Sequence, residues 1–485
     1  MGKKNVTKSN NKKTSNKAIN KTSNKAINKT SNKAINNTLN KALIEVLKEA
    51  GLFIILIMFF TLGLCGVAKI SRDSLRPNFE KSAEFLNSGN VYPQIFEGLE
   101  SSRLDRYADS ILLGIAWQYD PDKPFLSTMQ SLYFVNPKEN VNANLAEAVS
   151  KDAPANVNYY RYWHGSILIV RPLLLILSLK GIYILNCILL VLLLALLIVI
   201  LVKKHMYFPV VGLILGLILT SAWYVPFCLE YTWTFLLMTI FSLITIWAVS
   251  HKKENIYGCL FLGFGMITSF FDFLTTETLT LTLPLLLFVR LEADNVEFIN
   301  AYERHKQQKA MDKKSLVTAF RLSITWLIGY AASWATKWLL TSIALGKNIL
   351  PYISGNISNR LGGEEWVDLP LGQFLIGALS RNISCLLPLD FGKVGIIIGF
   401  VIFIIYLYFV YVYGKKPGNR SRFLIYCLVS IIPFLRFLLL HNHSYLHCFF
   451  TFRAQLATIL GLVLIAEELG LRLPWGKESR REGNK

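Results

Sequence analysis

Long runs of apolar residues, separated by short polar segments, dominate the pattern of this chain. The run 182–202 contains no charged residue over about 20 positions, enough for a helix to cross a hydrocarbon core of about 30 Å. Backbone polar groups in lipid must be satisfied within the segment, so each run predicts a helix, whereas a barrel would show alternating polar and apolar residues. The pattern predicts an all-α polytopic membrane protein with about ten transmembrane helices.

The spans follow when the chain is threaded with its N-terminus on the cytoplasmic side. The predicted spans are residues 51–70, 182–202, 206–222, 232–249, 256–271, 277–289, 316–345, 394–413, 423–440 and 454–471. Two long polar regions, about 71–181 and 346–392, then become outer loops. The apolar segment 166–179 is short and is interrupted by Arg171 and Pro172, so we expect an interfacial or re-entrant helix within the first outer loop.

Basic residues gather on one side of this scheme and set its orientation. Only 17% of the residues are charged, yet the formal net charge is +20 and the short inner loops hold Lys or Arg, as Lys203, Lys252 and Lys415 illustrate. Such loops lie in the cytoplasm, so both termini are predicted to be cytoplasmic. The excess of basic residues is therefore explained by the orientation of the chain and by contact with anionic lipid. Membrane lipids are predicted partners, and nucleic acid is not.

The two ends of the chain differ from its apolar middle. An octapeptide, SNKAINKT, occurs at residues 15–22 and 23–30 and returns as SNKAINNT. A tract so poor in apolar residues predicts disorder. The predicted organisation is a disordered Lys/Asn-rich tail (1–42), a multi-span membrane domain (43–471) and a basic cytoplasmic tail (472–485).

The seven cysteines are scattered and indicate neither a zinc site nor a disulfide framework. No CxxC or other paired spacing occurs, and most of the cysteines lie within apolar runs. Cys385 and Cys448 fall in outer regions and could pair.

Threading brings four clusters of polar residues to the outer side of the membrane. They are residues 103–109, 159–165, 272–277 and 441–453. Ionisable groups at the membrane rim are costly, so they usually pair with one another or serve a site. Arginine binds phosphate, aromatic rings cover sugar faces, and a carboxylate can take a proton from an acceptor hydroxyl. The clusters therefore suit a ligand that contains a lipid phosphate and a sugar.

Each cluster also has a structural interpretation. Asp105 and Asp109 are four residues apart and would share one face of a helix. One could be a catalytic base while the other forms a salt bridge with Arg103 or Arg106, or both could be simple surface charges. The aromatic residues of the second cluster could form a belt at the interface, and Asp272 could cap the following helix. His443 and His447 have i, i+4 spacing, but without an HExxH arrangement they favour a hydrogen-bonding or neutral interfacial role over metal binding.

These features resemble the GT-C superfamily of polytopic glycosyltransferases, which take sugars from polyprenyl-phosphate or similar lipid-linked donors at the non-cytoplasmic face. The resemblance covers about residues 43–471 and rests on architecture and on three motifs, YYRYWHG (159–165), FFDFLTT (270–276) and NHSYLHCFFTFR (442–453). It implies that Asp109, or else Asp105, activates the acceptor. The first loop lacks a paired Asp-Glu or a duplicated DxD, so the choice between them stays open.

The same resemblance implies substrate-binding residues at the rim. Arg161, His164, His443 and Arg453 are the candidates to hold the donor phosphate. The remaining substrate-binding candidates are Trp163, Asp272 and His447. No metal-binding residues and no cofactor are predicted, although a divalent cation stays open.

The leading hypothesis is a membrane glycosyltransferase that moves a sugar from a polyprenyl-phosphate-linked donor to a cell-envelope acceptor, in a multi-pass protein of a bacterial cell membrane. The alternative is a transporter or flippase of a lipid-linked glycan or a small solute. Transporters place polar residues near the midplane in broken helices, whereas here the clusters gather at one rim and only Lys337 and Arg436 approach the middle of a span. A structural or sensory protein whose outer loops bind a partner is the third hypothesis.

Overall fold

Helices form nearly all of the regular structure in the part of the chain that the structure describes. The structure is a computed structural model, and it describes residues 40, 42–292, 301–362, 369–387 and 389–472. The predicted tails, 1–42 and 472–485, lie almost wholly outside the described residues, so their disorder and location stay predictions. Internal contacts divide the chain into two units, Met1–Ile54 and Ile55–Lys485. The candidate site belongs entirely to the second unit.

The described helices run in chain order and are joined mostly by short connections. They are α1 (Ala42–Ala68), α2 (Arg72–Asn87), α3 (Arg106–Trp117), α4 (Pro124–Gln130), α5 (Val141–Ser150), α6 (Ile167–Leu173), α7 (Leu179–Lys203), α8 (Tyr207–Leu219), α9 (Leu229–Ser250), α10 (Tyr257–Phe271), α11 (Leu279–Glu292), α12 (Ala301–Leu345), α13 (Leu350–Gly362), α14 (Leu371–Ser384), α15 (Gly392–Tyr413), α16 (Arg420–Leu439), α17 (His441–Leu446), α18 (Cys448–Thr451) and α19 (Leu456–Glu468). Two short strands, β1 (Leu132–Tyr133) and β2 (Val157–Asn158), pair antiparallel.

Seven helices among the described residues are long and apolar enough to cross a membrane. They are Ala42–Ala68, Leu179–Lys203, Leu229–Ser250, Lys314–Leu345, Leu389–Tyr413, Arg420–Leu439 and Cys448–Glu468. The predicted all-α class is confirmed, and these helices have the length and composition of membrane spans. Every predicted span contains a helix, but α8, α10 and α11 have only 13, 15 and 14 residues. The number of ten spans and the side of each terminus therefore stay predictions.

The helices α10 and α12 pack backbone to backbone at two glycines. A Cβ atom at Gly265 would meet the carbonyl oxygen of Trp326, and a Cβ atom at Gly329 would meet the carbonyl oxygen of Leu262. Small residues permit such an approach between helices in a membrane, where apolar side chains gain nothing by leaving lipid. The pair of glycines therefore fixes the distance between α10 and α12.

The first predicted outer loop folds into a helical layer made of α2 to α6 and the β1–β2 ribbon. Arg171 of α6 is fully buried and donates hydrogen bonds to the carbonyl oxygens of Ala116 and Ile70, each at 2.7 Å. These carbonyls lie at the end of α3 and just after α1, where helix-terminal C=O groups lack intrahelical partners and attract a cation. A helix within 166–179 is thus confirmed, while its position at the membrane interface stays a prediction.

Candidate functional site

Two adjoining cavities lie beside the start of α3, the segment before α6, and the helices α17 and α18. The larger cavity has a volume of about 590 Å³ and the smaller one about 70 Å³. The residues that line both are Tyr92, Tyr107, Ile111, Tyr159 and His447. We therefore treat the two cavities as the large chamber and the small chamber of one site.

The two chambers differ in charge. Arg103 and Arg161 line the large chamber, and no carboxylate is among the described residues that line it. An anionic group is therefore favoured in the large chamber. The titratable side chains other than tyrosine that line the small chamber are Asp105, His164, Glu230, His443 and His447.

Asp105 combines a structural contact with a position on the small chamber. It is the N-cap of α3, and its Oδ1 atom accepts a hydrogen bond of 2.9 Å from the backbone N–H of Ala108. Its side chain is 4% exposed. Burial raises the pKa of Asp105 to about 7, while the backbone N–H groups and Arg103 act in the opposite direction. A carboxylate that titrates near neutral pH is suited to accept a proton from a hydroxyl group.

Asp109 is one turn further along α3 and is held by several protein groups. It accepts hydrogen bonds from the hydroxyl of Tyr183 and, at 2.9 Å, from the backbone N–H of Leu229, the first residue of α9. The thiol of Cys228 is a further donor at 3.7 Å. Burial raises the pKa of Asp109 to about 7. Asp109 is not among the residues that line either chamber, so its contacts anchor the start of α9 next to α3.

Arg161 lines the large chamber, and its partners among the described residues are all neutral side chains. Its guanidinium stacks on Tyr159 and Tyr162, 4.5 Å and 5.4 Å from the ring centroids. It donates to the hydroxyl of Tyr159 at 3.0 Å and to the side-chain oxygen of Asn356. Arg103, in contrast, forms an ion pair with Glu100 at 2.6 Å. Because none of the partners of Arg161 in the described part of the chain is negatively charged, an anionic ligand is favoured beside Arg161.

His164 presents a neutral ring to the small chamber. Its Nε2–H donates to the carbonyl oxygen of Tyr159 at 2.8 Å, because a carbonyl can only accept. Its Nδ1 atom is buried and has no hydrogen-bond partner among the described residues. Burial lowers the pKa of His164 to about 3, so the ring is neutral at physiological pH and Nδ1 can accept a hydrogen bond from a ligand hydroxyl.

Trp163 and Arg453 support the site from behind its walls. Trp163 is fully buried and donates its indole N–H to the carbonyl of Ser333 at 3.0 Å. Arg453, 1% exposed, donates to the carbonyl oxygens of Phe449 and Ser101 at 3.0 Å and 3.1 Å. Neither residue lines a chamber. Trp163 ties the segment of Tyr162 and His164 to α12, and Arg453 holds the backbone of Phe449. Tyr162, His164 and Phe449 line the chambers.

His443 and His447 lie together at the junction of the chambers. Their ring centroids are 4.8 Å apart, and the ring of His447 stacks on Phe450 at 5.2 Å. His447 lines both chambers and His443 lines the small one. In the described part of the chain, no group of three or more His, Cys, Asp or Glu side chains is arranged to hold a metal ion.

Asp272 shapes a turn at the edge of the small chamber. Its carboxylate accepts from the backbone N–H groups of Leu274 and Thr275, at 2.7 Å and 3.1 Å, and from the hydroxyl of Thr275 at 2.7 Å. These contacts present Phe273 to the small chamber, whereas Asp272 does not line it. Asp272 thus accepts from backbone N–H groups as a helix cap would. The helix α11, however, begins only at Leu279, so Asp272 organises the turn before this helix.

A buried ion pair fixes the same turn to α16. Arg436 pairs with Glu277 at 3.0 Å, and its guanidinium also donates to the carbonyl of Leu274 and, at 3.1 Å, to the hydroxyl of Ser444. Glu277 neutralises the charge of Arg436, and the other acceptors bind further N–H groups of the guanidinium. The protein itself therefore balances this charge within a predicted span.

Several residues of the site are not among the candidates that the sequence predicts. Glu230 is the second residue of α9, and Tyr92 lies in an irregular part of the first loop. Both line the small chamber. Asn356, on α13, contacts Arg161 across the large chamber. The topology already brought Glu230 to the outer side, so a search for carboxylates in every predicted outer turn would have found it. No periodic signal points to Tyr92 or Asn356.

The geometry brings together members of all four polar clusters. Asp105, Arg161, His164, His443 and His447 line the chambers, and Phe273 represents the third cluster. The described residues define a helical membrane protein, and the two chambers form a polar, aromatic-lined site in it. Comparison of the chain with protein-family models, with curated proteins and with solved structures finds no match.

Proposed function

We propose that this chain is a membrane glycosyltransferase that moves a sugar from a lipid-phosphate-linked donor to a cell-envelope acceptor at the non-cytoplasmic face. The proposal includes ten spans, cytoplasmic termini and a place in a bacterial cell membrane. The basic inner loops favour the cytoplasmic location of the termini. A polyprenyl-phosphate-linked sugar is the proposed donor and membrane lipids surround the spans. The resemblance to the GT-C superfamily is the source of the reaction class.

One observation supports the proposal above all others, namely the division of the site into a cationic and a carboxylate-bearing chamber. Arg161, which pairs with no carboxylate among the described residues, offers its positive charge to the large chamber, together with tyrosine rings that can cover a sugar or a lipid phosphate. Asp105 and Glu230 line the adjoining small chamber. A group transfer from a phosphate to a hydroxyl needs such a pair of environments side by side.

The reaction assigns a role to each chamber. Asp105 accepts the proton of the acceptor hydroxyl while its oxygen attacks the anomeric carbon of the sugar. The bond between that carbon and the phosphate oxygen breaks, and the phosphate leaves with the electron pair and remains at Arg161. The neutral His164 accepts a hydrogen bond from a substrate hydroxyl through Nδ1. Asp109, Trp163, Asp272 and Arg453 act as positioning residues, because their contacts hold the backbone around the chambers.

A transporter or flippase of a lipid-linked glycan is the second candidate, and charges buried within spans are the observation that would favour it. Lys337 is fully buried in α12 and donates to the carbonyl oxygens of Thr128 and Met129, at 3.0 Å and 2.9 Å. Arg436 is neutralised by Glu277. Both cations are therefore satisfied by the protein, and the site at the rim gives the enzyme more support.

The proposal is tested by replacing Asp105 with Asn in the full-length chain. Asn is as good an N-cap as Asp, so the Asp105→Asn variant should fold normally but lose the base. We expect transfer to fall roughly 10²–10⁴-fold, the usual contribution of a general base. The measurement is mass spectrometry of envelope glycans from cells in which the variant replaces the wild-type chain.

The matched control is Asp122→Asn, which changes the same side chain at an exposed position of the first outer loop. This control should leave the glycan profile unchanged. A normal glycan profile with Asp105→Asn, at equal protein amounts in the membrane, would argue against the enzyme. It would be the expected result for a flippase, which needs no base at this position.

A further inference from the structure

Two cysteines that are distant in sequence meet behind the candidate site. Cys385 is the C-cap of α14, and Cys448 is the first residue of α18. Both are 2% exposed and pack with Phe452 in one apolar cluster. Both are free thiols. A disulfide links Cβ atoms about 3.5–4.5 Å apart, and the packing of both thiols in one small buried cluster supplies the proximity that it needs.

Cys448 belongs to the segment that supplies the histidines of the site. Residues 441–455, which we name the histidine segment, include His443 and His447 of the chambers. The residues on either side of Cys448, His447 and Phe449, both line the large chamber. Any restraint on Cys448 is therefore a restraint on the wall of the site.

Helix α14 already holds the histidine segment through one side chain. The amide nitrogen of Asn382 donates to the carbonyl of Ser444 at 2.8 Å, and its amide oxygen accepts from the hydroxyl of Thr451 at 2.6 Å. The carbonyl of Asn382 accepts from Gln455 at 2.8 Å. In addition, Gly377 of α14 leaves space for the ring of Tyr445. This packing fixes the register between α14 and the histidine segment at the point where the two thiols meet.

We propose that Cys385 and Cys448 form a disulfide on oxidation and that this bond locks the histidine segment to α14. The inference does not depend on the glycosyltransferase reaction, since it concerns the packing of the site wall alone. A cross-link between segments so far apart in sequence restrains the unfolded chain and stabilises the folded one. The redox state of the pair thus sets how firmly the histidines are held.

The oxidation needs an electron acceptor of the disulfide class. The thiolate of one cysteine attacks an acceptor disulfide and releases one thiol, and the thiolate of the other cysteine then attacks the mixed disulfide and releases the second. Cys385 and Cys448 lose two protons and two electrons, and the acceptor disulfide becomes two thiols. Because both thiols are buried in the folded chain, exchange with a protein acceptor takes place before the histidine segment is fully packed.

The experiment uses the full-length protein in membranes and a small oxidant. Membranes are treated with diamide, an azo compound that takes up two electrons and two protons and becomes a hydrazine, and remaining thiols are then blocked with N-ethylmaleimide. We expect a peptide in which Cys385 and Cys448 are joined, and its loss after reduction. Recovery of both cysteines in blocked form after oxidation, or of Cys448 joined to a different cysteine, would overturn the proposal.

A second measurement tests the lock itself. Oxidation should raise the unfolding temperature of the wild-type protein, and this rise should be absent in Cys385→Ser. Cys427→Ser is the matched control, because Cys427 is a half-buried cysteine of α16 outside the cluster, and it should keep the rise. If Cys385→Ser responded to oxidation as strongly as the wild type, the lock would be refuted. The peptide measurement needs no variant and remains decisive if Cys385→Ser fails to fold.

Discussion

Asp105 and Asp109 lie one turn apart on α3, and their surroundings separate their roles. Asp109 accepts hydrogen bonds from Tyr183, Leu229 and Cys228. Asp105 uses one oxygen to cap α3 and lines the small chamber. Spacing along a helix indicates that two carboxylates share a face, but it does not reveal which of them meets protein donors. The sequence therefore left the base undecided, and the contacts favour Asp105.

The raised pKa of Asp105 predicts a pH dependence of the proposed transfer. Its pKa is about 7 instead of the ordinary 3.8 because of burial, and a general base works only when it is deprotonated. The rate should therefore rise with pH up to about 7 and level off above it, falling roughly tenfold for each pH unit below. The measurement is the initial rate of glycan labelling in isolated membranes between pH 5 and 9.

The same measurement separates the two carboxylates, since burial also raises the pKa of Asp109 to about 7. The residual activity of Asp105→Asn should show no inflection near pH 7. An inflection that survives in this variant would assign the titration to Asp109 and contradict the role given to Asp105. Asp122→Asn should reproduce the wild-type profile.

The neutral ring of His164 predicts a loss of stability in acid. Its pKa is lowered to about 3 in the folded chain and is about 6.5 in the unfolded chain, so the unfolded state binds the extra proton between these values. Folding is therefore destabilised as the pH falls below about 6.5, by at most about 1.4 kcal/mol for each pH unit. The measurement is the free energy of unfolding of the detergent-solubilised protein from pH 8 to pH 5.

The matched variant is His164→Asn, because Asn tolerates the positive backbone angle φ of +56° at this position. Other titrating groups change the stability of both proteins alike, so the difference between them isolates His164. The variant should lose less stability in acid than the wild type. Parallel curves for the two proteins would show that His164 does not titrate as described.

At the scale of elements, apolar runs predicted where helices occur, since a run without charges has few alternatives in a membrane. The helix lengths could not be predicted equally well. The predicted span 256–271 corresponds to α10, and 277–289 corresponds to α11, and both helices are short because the turn around Asp272 and Glu277 separates them. That turn is held by side-chain contacts with α16, which no local pattern encodes.

The glycines between α10 and α12 support a prediction at the same scale. Gly265→Ala and Gly329→Ala would each place a methyl group against a backbone carbonyl oxygen of the other helix. The helices must then move apart, which should cost about 1–3 kcal/mol, the usual effect of overpacking. Thermal unfolding of the detergent-solubilised protein measures the loss. Gly372→Ala, where nothing lies within 4 Å of the new Cβ atom, should leave stability unchanged or slightly raised.

At the scale of the whole molecule, the one-sided distribution of polar clusters predicted that they could share a site, and five of the nine candidate residues line its two chambers. Trp163, Arg453, Asp109 and Asp272 lie behind the walls instead. The type of a residue indicates which chemistry its side chain can perform, but not whether the side chain points into a chamber. Its burial and its partners in the fold decide whether a polar group contacts a ligand or the protein. Asn356 entered the site only through its contact with Arg161, a residue distant in sequence.

The proposed orientation of the molecule gives the last prediction. Basic loops face the cytoplasm in the proposed orientation. The loop between α9 and α10, with Lys252 and Lys253, then lies inside the cell. The exposed loop at Asp122 lies outside, on the same side as the candidate site. An epitope inserted after Lys253 should bind antibody only in permeabilised cells, and one inserted after Asp122 should bind in intact cells as well. Both positions are exposed, so accessibility depends on the side of the membrane alone. Binding of both epitopes in intact cells, or the reverse pattern, would contradict the orientation, and the proposed donor and acceptor would then have no access to the site from the envelope.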